Sequence, residues 1–137
     1  MASPPLLHGL LYRSQAVGRL TADDIATLAI RASRNNALVG VTGALLHAEP
    51  VGGAPGLFVQ WLEGAEDDVR AMYGRISEDD RHVHSEVIAE GPIVELVGRD
   101  DRLFGDWNMR LVRLGTLPVT LESFLNVWLS LHRSETA

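Results

Sequence analysis

The chain has no cysteine, so disulfides, thiol nucleophiles and thiolate metal sites are all excluded. No apolar run approaches the roughly 18 residues of a membrane span. The opening Met-Ala-Ser-Pro-Pro lacks the charged region and long apolar run of a signal peptide, so a cytoplasmic protein with no membrane partner is expected. Basic blocks are missing too. With 12 basic and 18 acidic residues the net charge is −6, which argues against nucleic acid as a partner. Gly52-Gly53 sits in a Pro-broken loop and opens no helix, so it is not a phosphate loop. The five histidines show no metal spacing: His82 and His84 alternate along a strand-like segment without a third ligand, and no metal is expected. Ser14 has no recognisable triad partners, and Glu63, Glu66, Asp67 and Asp68 read as a helix N-terminus rather than a general acid/base pair. Nothing commits the chain to turnover, and it is not expected to be an enzyme.

What is present is the material of one globular domain: 137 residues, 46% hydrophobic and 22% charged. Its most informative stretch is Leu57 to Gly64, a short apolar run of strand formers. Alternation puts Leu57, Val59 and Trp61 on one face and Phe58, Gln60 and Leu62 on the other. Gln60 therefore lies where nothing around it has surface character. Leaving a buried amide unpaired costs about 1–3 kcal/mol, so something must face it. A core glutamine bonded to nearby backbone and a ligand contact both satisfy that demand.

Before it, Leu6 to Ser14 reads as a strand with Leu10, Tyr12 and Ser14 on one face and Leu7, Leu11 and Arg13 on the other. Thr21 caps a helix whose Ile25, Leu28, Ala29 and Ala32 form an apolar stripe and whose end falls at Asn35 and Asn36. Leu38 to Leu46 reads as a strand in which Gly40 and Gly43 suggest a bulge or a close backbone neighbour. His47 to Gly56 is then a hairpin loop. After Gly64, Ala65 to Ser77 is a second helix with Val69, Met72, Tyr73 and Ile76 inward. His84 to Glu90 is a fourth strand, expected to resume at Ile93 after Gly91-Pro92. Asp106 to Leu114 is a fifth, with Trp107, Met109 and Leu111 on one face.

The order is β-α-β-β-α-β plus one strand. It predicts an α+β fold, a ferredoxin-like βαββαβ sandwich with a five-stranded mixed sheet and two helices on one face. Past Pro118, Thr120 can cap a C-terminal helix whose Leu121, Phe124, Leu125 and Trp128 would cover the other face or meet a partner. In this topology the first and third strands are central neighbours. Tyr12, Asn36 and Gln60 could then surround one planar, hydrogen-bonding ligand, because amides offer both a donor and an acceptor to a ring edge.

The sequence resembles a BLUF domain, the flavin-binding blue-light sensor module, from about Leu7 to Leu114. The similarity rests on Tyr12-Arg-Ser14-Gln-Ala16, Leu20-Thr21, Asn36 six residues before Thr42-Gly43, Phe58-Val-Gln60-Trp-Leu62-Glu63-Gly64, Asp79-Asp-Arg81-His82 and Phe104-Gly-Asp-Trp107-Asn-Met109. The resemblance implies that residues 1–115 are the flavin-binding BLUF domain and residues 116–137 a helical extension on its sheet. It implies a flavin, FAD or FMN, between the two helices, with Asn36 on its pyrimidine edge and Gln60 bridging it to the Tyr12 hydroxyl. Asn35 would border the ring, Ser14 would lie at the site, and Arg81 and His82 would meet the ribityl-phosphate end. It further implies that blue light draws an electron and a proton from Tyr12 and that Gln60 rotates or changes tautomer. Trp107 and Met109 would relay the change to an unknown downstream effector protein or through a homo-oligomer.

Two departures stand out: the loop from His47 to Gly56 is longer than the usual hairpin, and the turn from Val97 to Arg102 is extended. Both leave the flavin contacts in place, and the second bears on the register of Trp107 and Met109. The rival readings are a light-insensitive ferredoxin-like binding module and an acylphosphatase-like hydrolase, the latter lacking a suitable phosphate loop.

Overall fold

The computed structural model describes residues 6–16, 22–48, 56–78, 82–99, 101–105, 109–114 and 117–136. Their elements run β1 (Leu7–Ala16), α1 (Ala22–Leu38), β2 (Thr42–Ala48), β3 (Leu57–Ala65), α2 (Glu66–Ser77), β4 (His82–Pro92), α3 (Ile93–Val97), β5 (Arg110–Leu114) and α4 (Leu121–Thr136). The five strands form one sheet in the order β4-β1-β3-β2-β5. β1 pairs antiparallel with β3 and β4, β2 antiparallel with β3, and β2 parallel with β5. This is the expected α+β sandwich with a mixed sheet, and its two central strands are the pair expected to carry the site.

Strand alternation divides the core in two. Leu10, Tyr12, Leu45, Phe58 and Leu62 face α1 and α2, packing with Val69 and Met72 and with the partly buried Leu28, Ala32, Tyr73 and Ile76. Leu11, Ala44, Leu46, Val59 and Trp61 face the other way, toward Phe124, with Leu121, Leu125 and Trp128 beside it. The C-terminal stripe is thus docked on the chain's own sheet. Its first turn is capped reciprocally: Ser123 N–H donates to Thr120 Oγ1 and Thr120 N–H to Ser123 Oγ, each at 3.1 Å. Thr21, expected to cap α1, lies outside the described residues, as does most of the loop after Ala48.

Three boundaries differ from the sequence expectation. α1 continues through Leu38, which is 84% exposed, and the second strand starts only at Thr42. The stop is Gly40, whose φ of 70° is left-handed, while Val39 and Val41 N–H both donate to the Asn36 carbonyl. Ile93 does not resume a strand but opens α3. Pro92 has no N–H to extend the ladder, Ile93 is buried near Gly9 and Trp61, and Gly98 closes the helix at φ 75°. β5 begins at Arg110, later than Asp106, and Asp106 to Asn108 lie outside the described residues. Gly43 meets its expectation of a close neighbour, because a Cβ there would collide with the Trp61 carbonyl of β3.

An ionic group ties α2 to the sheet. Glu90 on β4 accepts from His8 Nε2 at 2.8 Å and Arg70 Nε at 2.9 Å, and Arg70 also pairs with Glu66. The Arg70 hydrogen bond, then the one from His8, holds the Glu90 carboxyl below its ordinary value. A depressed carboxylate contributes stability above its unfolded value and loses it as pH falls through the folded one. Glu90→Gln should therefore lower the melting temperature at pH 7, and the gap from wild type should close below the ordinary carboxylate range. Thermal melts from pH 7 to pH 3 check this; a gap independent of pH would remove Glu90 from the linkage.

Candidate functional site

The register of the two central strands sets Tyr12 directly opposite Gln60. Both fall on the helix-facing parity of their strands, and Tyr12 Oη donates to Gln60 Oε1. The other end of the amide is oriented as well: Gln60 Nε2 donates to Met109 Sδ at 3.6 Å. All three side chains are buried, Gln60 at 4% exposure and Met109 at 7%. The Tyr12 ring leans edge-on against Tyr73 of α2, centroids 5.0 Å apart, and Tyr73 is itself held by a 2.8 Å hydrogen bond to Ser85. A phenol, a carboxamide and a thioether therefore form a single line from β1 across β3 to the start of β5.

Asn36, in the last turn of α1, is fully buried, whereas Asn35 beside it is exposed. The helix register separates two residues that look alike in sequence. Ser14 is buried two residues beyond Tyr12 on the same strand. The backbone of His82 pairs with Ala16 at the start of β4, while Arg81 and Trp107 lie outside the described residues. A cavity of about 340 Å³ opens at the same end of β1 and β3, beside Arg13, Ser14, Phe58, Val59 and Leu117. Tyr12, Asn36 and Gln60 do not line it.

One residue was misread in the sequence. Glu63 does not belong with the exposed acidic start of α2; it is fully buried and accepts from Trp61 Nε1, Thr42 Oγ1 and the amides of Leu103 and Phe104. The signal for this was its parity: it shares the Trp61 face of β3, one residue before the Gly64 at which that strand was expected to end.

Two buried amides and a phenol in apolar surroundings suit a planar heterocycle whose edge alternates carbonyl and imino groups. That donor set fits the pyrimidine edge of a flavin. No group of three or more metal-ligating side chains occurs among the described residues. The fold and the Tyr12–Gln60 pair together define an α+β module with a buried hydrogen-bonded polar pair at the centre of its sheet.

The particular family follows from sequence comparison. The model of the BLUF family, described as sensors of blue-light using FAD, matches residues 7–110. The chain belongs to the BLUF family: it is a blue-light sensor module that binds flavin. The photoactivated adenylate cyclase subunit beta of Euglena gracilis is 39% identical over 91 residues, which are 66% of this chain and 10% of that protein. The chain thus spans about a tenth of the length of that curated relative. Among solved structures, the dark state of the BLUF protein BlrB is 33% identical with a TM-score of 0.65, covering 80% of this chain and 74% of BlrB. Klebsiella pneumoniae BlrP1, solved with FMN and cyclic diGMP, is 27% identical with a TM-score of 0.68, covering 91% of this chain and 30% of that one.

Proposed function

We propose that Tyr12 and Gln60 are the photochemical switch of this module and that β5 and α4 carry its output to a separate effector protein. The observation that carries this reading is the oriented Gln60 amide, with its oxygen on Tyr12 and its nitrogen on Met109. When bound, the flavin supplies an excited state under blue light that can take one electron from a phenol. Tyr12 gives up that electron and the proton on Oη, and both return to it, so no reductant is consumed. While the proton is away, Gln60 loses the donor that fixed its oxygen. A carboxamide has two nearly isosteric ends with opposite hydrogen bonding, so half a turn or a change of tautomer presents a different donor pattern to each neighbour. After rotation Nε2 faces Tyr12 Oη and the oxygen faces Met109 Sδ, a weak acceptor with nothing to donate. The link to Met109 is lost, and β5 starts one residue later.

Asn36 holds the pyrimidine edge from the end of α1, Asn35 borders the ring from the solvent side, and Ser14 lies at the site. Arg81 and His82 are assigned to the ribityl-phosphate end and Trp107 to the relay, by motif position alone. Residues 1–115 are then the flavin-binding part and 116–137 the output extension. FAD is the preferred form, since the family is described by it, and FMN is the alternative. The relatives' description as photoactivated adenylate cyclase subunits supports an output to an effector; here the output would pass to a partner protein, or through a homo-oligomer, in the cytoplasm. An absorption spectrum of the purified protein before and after a blue flash tests the reading. A small red shift that relaxes in darkness is expected, and a protein that refuses added FAD and FMN would overturn it.

A further inference from the structure

β3 carries two polar side chains on opposite faces. Gln60 looks toward α1 and α2; Glu63 looks toward α4, fully buried, and its carboxylate meets donors. Glu63 Oε1 accepts from Trp61 Nε1 at 2.8 Å and the Leu103 amide at 2.6 Å. Oε2 accepts from Thr42 Oγ1 at 2.6 Å and the Phe104 amide at 2.8 Å. Arg102 donates to Thr42 Oγ1 at 2.9 Å, and the Leu103 carbonyl accepts from Trp128 Nε1 at 2.8 Å. One carboxylate thus pins the backbone at 103–104 to β3, and the middle of α4 hangs from the same point.

Met109 follows Phe104 by five residues. Phe104 and Met109 are each tethered to β3, the first through Glu63 and the second through Gln60. The first tether is an acceptor-only group among donors and does not depend on which way an amide points. The second does.

The geometry points to Glu63 as a positioning residue: the fixed end against which a change at Gln60 becomes a displacement of β5 and the first turn of α4. Leu103 and Phe104 stay held by Glu63 while Met109 shifts. The shift enters β5 at the next residue, Arg110, while Trp128 stays on the anchor, so α4 pivots about Trp128. This rests on the switch assigned above.

The test uses the FAD-loaded full chain and Glu63→Gln, whose NH2 would confront a donor. Flavin absorption and amide exchange are followed in darkness and under blue light. Glu63→Gln should bind FAD and red-shift as wild type does, with the Leu103 and Phe104 amides exchanging at least tenfold faster in the dark. The light-minus-dark difference at 121–131 present in wild type should vanish. A variant that keeps this difference, or that loses the red shift along with it, overturns the proposal, as does a wild-type protein that red-shifts without any change in α4. If Glu63→Gln fails to fold, Trp128→Phe removes the indole donor while keeping a ring; it should lose the α4 response and keep the red shift, and a retained response overturns the anchor. A wild-type protein with no red shift would count against the photoreceptor mechanism instead, and dark exchange at Leu103 and Phe104 would still decide the anchor.

Discussion

Gln60→Leu is expected to leave flavin bound and to abolish the blue-light red shift. Leucine approximates the volume of glutamine, so the packing of this face of β3 beside Leu45 of β2 survives. What disappears is the amide that links Tyr12 to Met109. Tyr12, 0% exposed, loses its hydrogen bond to Gln60, a change worth about 0.5–1.5 kcal/mol. The variant should therefore melt a few degrees lower while showing a flavin spectrum that a blue flash does not move. A Gln60→Leu protein with the wild-type shift would take Gln60 out of the switch and leave its contact with Tyr12 as packing. The two readouts separate the outcomes: stability reports the lost hydrogen bond, and the spectrum reports the lost amide.

The arrangement explains why β3 is the strand that matters. Phe58 and Leu62 pack on the α1–α2 side and Val59 and Trp61 on the α4 side, so one strand touches both the proposed switch and the proposed output helix. Coupling across a sheet needs no long path. Gln60 and Trp61 are consecutive, and Trp61 stacks on Phe124 with centroids 5.6 Å apart.

Local pattern made much of this legible. The period-two alternation set Tyr12 with Leu10 and Gln60 with Phe58 and Leu62, groupings that the structure turns toward α1 and α2, and the stripes of α2 and α4 pack as their spacing requires. What escaped depends on partners distant in the chain. Glu63 looks like a helix-start acid until Leu103 and Phe104, some 40 positions on, bring their amides to it. Ile93 sits in a strand-like run, and only Pro92 behind it and the space near Trp61 turn it into a helix start. Leu38 looked like a strand opening because the left-handed turn at Gly40 that stops α1 is not written in hydrophobicity. At the site, Asn36 is buried and Asn35 exposed, a distinction set by helix phase at a terminus, where boundaries are least readable. The family resemblance supplied the roles of these residues; composition and spacing alone left Gln60 between a core glutamine and a ligand contact.

Phe124→Ala should give the largest loss of stability. Phe124 is fully buried between Trp61 and Phe104, with centroid distances of 5.6 and 6.2 Å. Truncating a phenylalanine in such a place costs about 3–5 kcal/mol, from lost transfer free energy and the cavity left behind. The question is whether α4 leaves alone or takes the sheet with it. Leu11, Leu46, Val59 and Trp61 are all 1% exposed or less, and α4 supplies the aromatic cover over that face. Undocking would expose the fully buried Trp61 indole and free the Trp128 bond to Leu103. Unfolding should therefore remain a single cooperative transition, lowered by roughly 10–20 °C at this chain length. Circular dichroism melts read alongside flavin absorbance provide the check: coincident, lowered curves are expected. A first transition confined to helix signal, followed by flavin release at the wild-type temperature, would mean that α4 undocks independently of the flavin-binding core.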